Sequence, residues 1–139
     1  MMKKIALLLS VLCLVAGCTN QELTPEQERI LGTWRLTEYC VSPGFGSCTP
    51  QLATATINQT LEFQKNGSLI EKRPQPGKFQ SPIVSSGDYK IERKNRISFR
   101  FDNQSAIAGD VEWGYELTGN TLVIAPQCYE GCSYTYTRL

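Results

Sequence analysis

Residues 5–16 form an almost unbroken apolar run, Ile5-Ala6-Leu7-Leu8-Leu9-Ser10-Val11-Leu12-Cys13-Leu14-Val15-Ala16, behind the basic pair Lys3-Lys4. As a helix that run would rise about 18 Å, against a hydrocarbon core of about 30 Å. It is therefore too short to span a membrane and reads as a removable export leader. A polar stretch follows to Leu23. Thr24-Pro25-Glu26-Gln27 then predicts a helix start: Thr24 is placed to cap, Pro25 is preset for the first turn, and Gln27 completes a capping box. The predicted helix runs from Pro25 to Leu31 and stops at Gly32.

From Thr33 onward the pattern changes to period two, with turn residues at short intervals, which predicts antiparallel strands. They fall at Thr33–Cys40, Thr54–Gln64, Ser68–Arg73, Gly87–Glu92, Arg96–Phe101, Val111–Leu117, Thr121–Ala125 and Ser133–Arg138. Asn66-Gly67 is a strong hairpin signal. The prolines of 74–82 predict a loop at a rim, and Asp102–Gly109 a second loop. The expected fold class is all-β, an eight-stranded antiparallel up-and-down barrel preceded by a short N-terminal helix. Eight strands can close with room for side chains or one small ligand, and closure removes the edge strands. A sandwich with crossed connections would give the same string.

The exit of the leader, Val15-Ala16-Gly17-Cys18, resembles a lipobox, the motif of bacterial lipoproteins. The resemblance implies cleavage after Gly17 and a diacylglyceryl anchor, with further acylation such as palmitate, on the Cys18 sulfur. Two or more acyl chains anchor stably where one does not. The expected organisation is a signal peptide at 1–17, a lipidated tether at 18–23 and one barrel domain at 24–139. Thr19 stands where an aspartate would direct retention at the inner membrane, so the expected location is the outer membrane of the envelope. Losing Lys3 and Lys4 takes Lys+Arg from 14 to 12 against 13 Asp+Glu, and the net charge from +1 to −1. That near-neutral domain offers no footprint for nucleic acid.

The chain holds no histidine and six cysteines. Without histidine, Ser-His-Asp and Cys-His catalysis and most zinc arrangements are excluded, so neither an enzyme nor a metal or cofactor is expected. With Cys13 removed and Cys18 lipidated, Cys40, Cys48, Cys128 and Cys132 remain, an even set in an exported domain, which predicts two disulfides.

Leu31-Gly32-Thr33-Trp34-Arg35-Leu36 resembles the G-x-W opening of lipocalins and lipocalin-like lipoprotein domains. Tyr134-Thr135-Tyr136-Thr137-Arg138-Leu139 is similar to their closing strand, and Tyr115–Leu122 to the hairpin before it. The resemblance implies a barrel in which the arginine, Arg138, packs over the tryptophan, Trp34, as a structural plug.

In a closed barrel the first and last strands pair antiparallel, so facing numbers have a constant sum. If Trp34 faces Arg138, then Leu36 faces Tyr136, Glu38 faces Tyr134 and Cys40 faces Cys132. That register favours Cys40–Cys132 with Cys48–Cys128; the local pairing Cys40–Cys48 with Cys128–Cys132 is the alternative. It also aims Glu38 inward, to bond tyrosine and water or to touch a ligand, unless the register slips and turns it outside.

The inward aromatics Phe63, Tyr89, Phe99, Phe101, Trp113, Tyr115, Tyr134 and Tyr136 either fill the core or line a pocket. The expected ligand residues are Glu38, Trp113, Tyr115 and Tyr134, taking a small apolar molecule. Glu112 and Glu116 flank inward Trp113 and Tyr115 and so face solvent; they do not form a glycosidase pair. The second functional expectation is a protein partner, inhibited or assisted, held by the loops Val41–Leu52 and Lys78–Ser86, and the third is a structural envelope lipoprotein with a filled barrel and no ligand.

Overall fold

The computed structural model describes residues 22–41, 48–75, 78–102, 111–127 and 131–139. The leader, Cys18, most of the tether and Cys128 lie outside the described residues. Helix α1 spans Pro25–Ile30. The strands are β1 (Gly32–Val41), β2 (Gln51–Leu52), β3 (Thr60–Phe63), β4 (Ser68–Gln75), β5 (Lys78–Arg93), β6 (Arg96–Phe101), β7 (Val111–Thr118), β8 (Thr121–Ala125) and β9 (Cys132–Arg138), with a 3-10 turn at Ala55–Ile57. Strands β3 to β9 pair in sequence, and β9 returns to β1. Eight antiparallel strands thus close a barrel, and β2 is an extra short strand beside the far half of β1. Ladder closure between β1 and β9 selects the barrel over the sandwich.

Helix α1 is held at both ends by side chains. Gln27 N donates to Thr24 Oγ1 at 3.2 Å and Thr24 N to Gln27 Oε1 at 2.8 Å, a reciprocal capping box. At its other end the carbonyls left without helical partners are met from the barrel. Trp34 Nε1 donates to Ile30 O at 2.8 Å, and the Arg138 guanidinium donates to the carbonyls of Arg29 and Leu31. Gly32 turns the chain into β1 at φ +108°, and a Cβ there would lie 3.1 Å from an Arg138 nitrogen. The Arg138 guanidinium carbon stands 4.2 Å from the centre of the Trp34 ring, and Trp34 is fully buried.

The interior is filled. Phe63 meets Tyr89 edge-on at 5.0 Å, and Phe99 meets Trp113 at 5.3 Å. Leu69, Ile97, Leu122 and Ile124 are buried around them. Turns at 65–67, 94–95 and 119–120 close the end that carries α1. Asn95 sits at φ +62°, a conformation that Asn tolerates better than most residues.

Several expected boundaries are corrected. The second strand is not Thr54–Gln64: its first half is the 3-10 turn and only Thr60–Phe63 joins the ladder. The expected proline loop is a long hairpin, because β4 runs to Gln75 and β5 begins at Lys78. Extending the Arg73–Ile83 pair would set Pro74 opposite Pro82, two residues without an N–H. The register slips there and resumes at Gln75–Lys78, as proline requires inside a ladder. Lys78–Ser86 is therefore strand, not loop.

The β1–β9 register is corrected as well. Trp34 pairs with Arg138 and Leu36 with Tyr136, but a bulge between Leu36 and Glu38 then shifts the ladder by one residue. Glu38 faces Thr135, Tyr39 faces Tyr134, Cys40 faces Ser133 and Val41 faces Cys132. The Cys40–Cys132 disulfide is thereby excluded: Cys40 is bonded to Cys48, with Cα atoms 5.7 Å apart. Cys132 is also disulfide-bonded.

Candidate functional site

The strand directions separate two unlike ends. One is closed by α1, the Trp34–Arg138 contact and the tight turns. At the other lie the ends of β1, β4, β6 and β8, the Cys40–Cys48 disulfide and the β4–β5 hairpin. β3 ends its pairing with β4 at Thr60–Lys72, and β6 ends its pairing with β5 at Phe101–Gly87. The hairpin beyond Arg73 and Ile83 therefore projects past both neighbours.

Just below this open end the inner wall turns polar. Leu69, Glu71 and Arg73 share one face of β4, and Ser85 and Ile83 share the matching face of β5, with Glu71 opposite Ser85 and Arg73 opposite Ile83. Glu71 is 1% exposed and Ser85 2%. Gln59, carried beside the 3-10 turn, donates its Nε2 hydrogen to Glu71 Oε1 at 2.7 Å. A buried carboxylate needs such donors. The Ser85 hydroxyl has no hydrogen-bond partner among the described residues.

Tyr136 stands against this cluster. Its burial, then the nearby Glu71 and Tyr134, push its hydroxyl far above the usual tyrosine range. Burial also raises Tyr89, and burial with the neighbouring Glu26 outweighs Arg29 in raising Tyr115. In a spectrophotometric titration these three should stay protonated past pH of about 10, the ordinary value. Unfolding releases them to ionise near that value. Their contribution to stability is thus complete below pH of about 10 and lost as pH rises beyond it. The tyrosinate absorbance of these three and the unfolding transition should therefore rise together, and ionisation of Tyr136 in the folded chain near the ordinary value would contradict its burial.

The residues expected to bind a ligand do not converge. Trp113 and Tyr115 are buried, at 9% and 8%, and Tyr115 lies toward α1 at the closed end. Tyr134 is half-buried opposite Ile124. The bulge sets half-buried Glu38 beside Thr135 instead of Tyr134. Glu71, Ser85, Gln59 and Arg73 went unremarked in the sequence. A strict period of two counted from Leu69 puts Glu71 and Arg73 on the inner face, but two charges there read as the solvent end of a strand. Glu112 is engaged by Arg93 at 3.2 Å and Arg96 at 3.7 Å on the outer face.

An open groove of about 1110 Å³ lies outside the barrel, lined by residues such as Leu23, Lys65, Tyr89 and Arg100. Four of the charges along it are paired, Lys90 with Glu92 at 2.8 Å and Arg100 with Asp88 at 2.6 Å. Among the described residues no His, Cys, Asp and Glu side chains group in threes to hold a metal, and no helix is long and apolar enough to cross a membrane.

The fold has a counterpart in a crystal structure of an uncharacterized protein from Bacteroides eggerthii. The TM-score is 0.52 and the sequences are 22% identical, over 78% of this chain and 98% of that one. At that identity the likeness speaks for the fold alone. No family model matches the sequence, and no curated protein matches it.

Proposed function

We propose that the chain is an envelope lipoprotein, held on the outer membrane through acylated Cys18, whose lipocalin-like barrel is a non-enzymatic module binding a small, largely apolar ligand at its open end. The observation that carries this reading is the asymmetry of the barrel. Plug, helix and tight turns seal one end. At the other, the inner face carries Ile83, Phe101 and Tyr134 only half-buried, above a polar floor.

The leader and lipobox support the anchor, and the chain reaches the barrel through α1 at the sealed end. A lipid on Cys18 would thus turn that end toward the bilayer and the open rim away from it. Few residues separate Cys18 from Glu22, so the barrel would stay close to the surface.

The projecting β4–β5 hairpin favours a second reading, a protein partner docked on the rim. Cys18→Ser is expected to move the chain from the membrane fraction to the soluble fraction and to remove the acyl mass. An unchanged distribution would sink the lipoprotein reading. Native mass spectrometry of the full chain after incubation with an envelope extract separates the two binding readings. A retained mass of a few hundred daltons supports the carrier, and a retained protein supports the partner.

A further inference from the structure

We propose that the half of the closed end formed by the β3–β4 and β5–β6 turns is a docking surface for anionic lipid, a proposal that rests on the lipoprotein reading above. Lys65 and Lys94 sit on those turns, are exposed and make no ion pair among the described residues. Strands β4 and β5 are neighbours, so the two turns stand two strand spacings apart, about 10 Å. The hairpin behind them adds to their charge. Lys90 is neutralised by Glu92 at 2.8 Å, but Arg93 and Arg96 share the single carboxylate of Glu112, at 3.2 Å and 3.7 Å. Three positive charges are thus left over on the turns and this hairpin. Glu62 stands farther back on the outer wall of β3, opposite Ile70, where the Gln64 amide holds it at 3.0 Å.

The anchor leaves the barrel on this same side. Leu23 lines the open groove together with Lys65, Asn66 and the β5 residues Lys90 and Glu92. The chain from Leu23 back to Cys18 reaches at most about 18 Å when fully extended, so an acylated Cys18 keeps the two turns close to the bilayer. Glu22, next to Leu23, takes one charge from the surplus and leaves the turns cationic. The other half of the end carries the opposite sign. Glu26 and Glu28 lie in the first turn of α1, Glu26 close to Tyr115 of β7, and Glu116 is exposed on β7. Arg29, bonded to the Leu117 carbonyl at 3.1 Å, offsets one of these three. An anionic surface attracts one half and repels the other, and so tilts the barrel about its anchor onto the β3–β4 and β5–β6 turns. A zwitterionic surface has no such preference, and salt screens the effect.

The test is lysine acetylation, read by mass spectrometry, on the full chain expressed with its leader and reconstituted in phosphatidylcholine vesicles with or without phosphatidylglycerol. Lys72 is the internal control, exposed on the outer face of β4 toward the opposite end and paired across from Val84. With phosphatidylglycerol present, Lys65 and Lys94 should acetylate about fivefold more slowly than in phosphatidylcholine alone, the factor expected of a cation held at an anionic surface. Lys72 should not change. Raising the salt to about 1 M, where the screening length falls to about 3 Å, should abolish the difference. Equal rates for Lys65 and Lys94 in the two kinds of vesicle, or an equal slowing of Lys72, overturn the lipid contact, while a chain that floats with the vesicles keeps the lipoprotein reading. A chain that floats with neither kind overturns both.

Discussion

Trp34→Ala should remove about 3–5 kcal/mol of stability, the usual cost of emptying a fully buried tryptophan site. A domain of this size has only about 5–15 kcal/mol in total, so the variant should unfold at a markedly lower urea midpoint. Three losses coincide. The indole volume is vacated, Ile30 O loses its donor at 2.8 Å, and Arg138 loses the ring 4.2 Å from its guanidinium carbon. Trp34→Phe keeps much of the volume and should recover most of the midpoint, but leaves the Ile30 carbonyl to find water. A double-mutant cycle of Trp34→Ala with Arg138→Ala isolates the contact between the two, expected at about 0.5–2 kcal/mol. Zero coupling would mean that the plug is two independent packing residues.

Gly87→Ala is the second large effect expected. A Cβ at Gly87 would lie 2.1 Å from the Arg100 carbonyl oxygen and 2.8 Å from the Phe101 Cα, both backbone atoms of β6. No side-chain rotation relieves that overlap; the two strands themselves have to part. Gly87–Phe101 is the last pair of the β5–β6 ladder before the hairpin departs, so glycine serves here to let β5 press against β6 as it bends away. The cost should reach about 3 kcal/mol, the upper part of the range for overpacking. Amide exchange should quicken first in β6 near Arg100 and Phe101. A variant of wild-type stability would show that the close approach is not required.

Local chemistry made much of the barrel readable in advance. Thr24, Pro25 and Gln27 carry a cap whose bonds are all within one turn of chain, and Asn66-Gly67 marks a hairpin by backbone preference alone. The ends could be matched because Trp34 and Arg138 are distinctive and close the same ladder. Beyond Leu36 the same reasoning failed, since one extra residue in a bulge leaves alternation looking intact on both sides while moving every later partner. Cys40 consequently found Cys48 and not Cys132, and Glu38 lost Tyr134. The prolines misled for a related reason: Pro74 and Pro82 forbid ladder bonds at one point, which a slipped hairpin tolerates as well as a loop does. Glu71 was hidden by its own charge. Its partner Gln59 lies outside the ladder, on a segment that period two assigned to strand, and only the folded chain brings the pair together.

The grip of Arg138 on α1 has a mechanical side. Both chain ends leave the barrel at the same pole, and the leading segment is fastened there by the guanidinium on the carbonyls of Arg29 and Leu31 and by the indole on Ile30. A tug on that segment is shared among these bonds before it reaches the β1–β9 seam, where Leu139 N still holds Thr33 O at 2.9 Å. The helix thus acts as a strain relief, the kind of clamp that stops a cable from being pulled out of its socket.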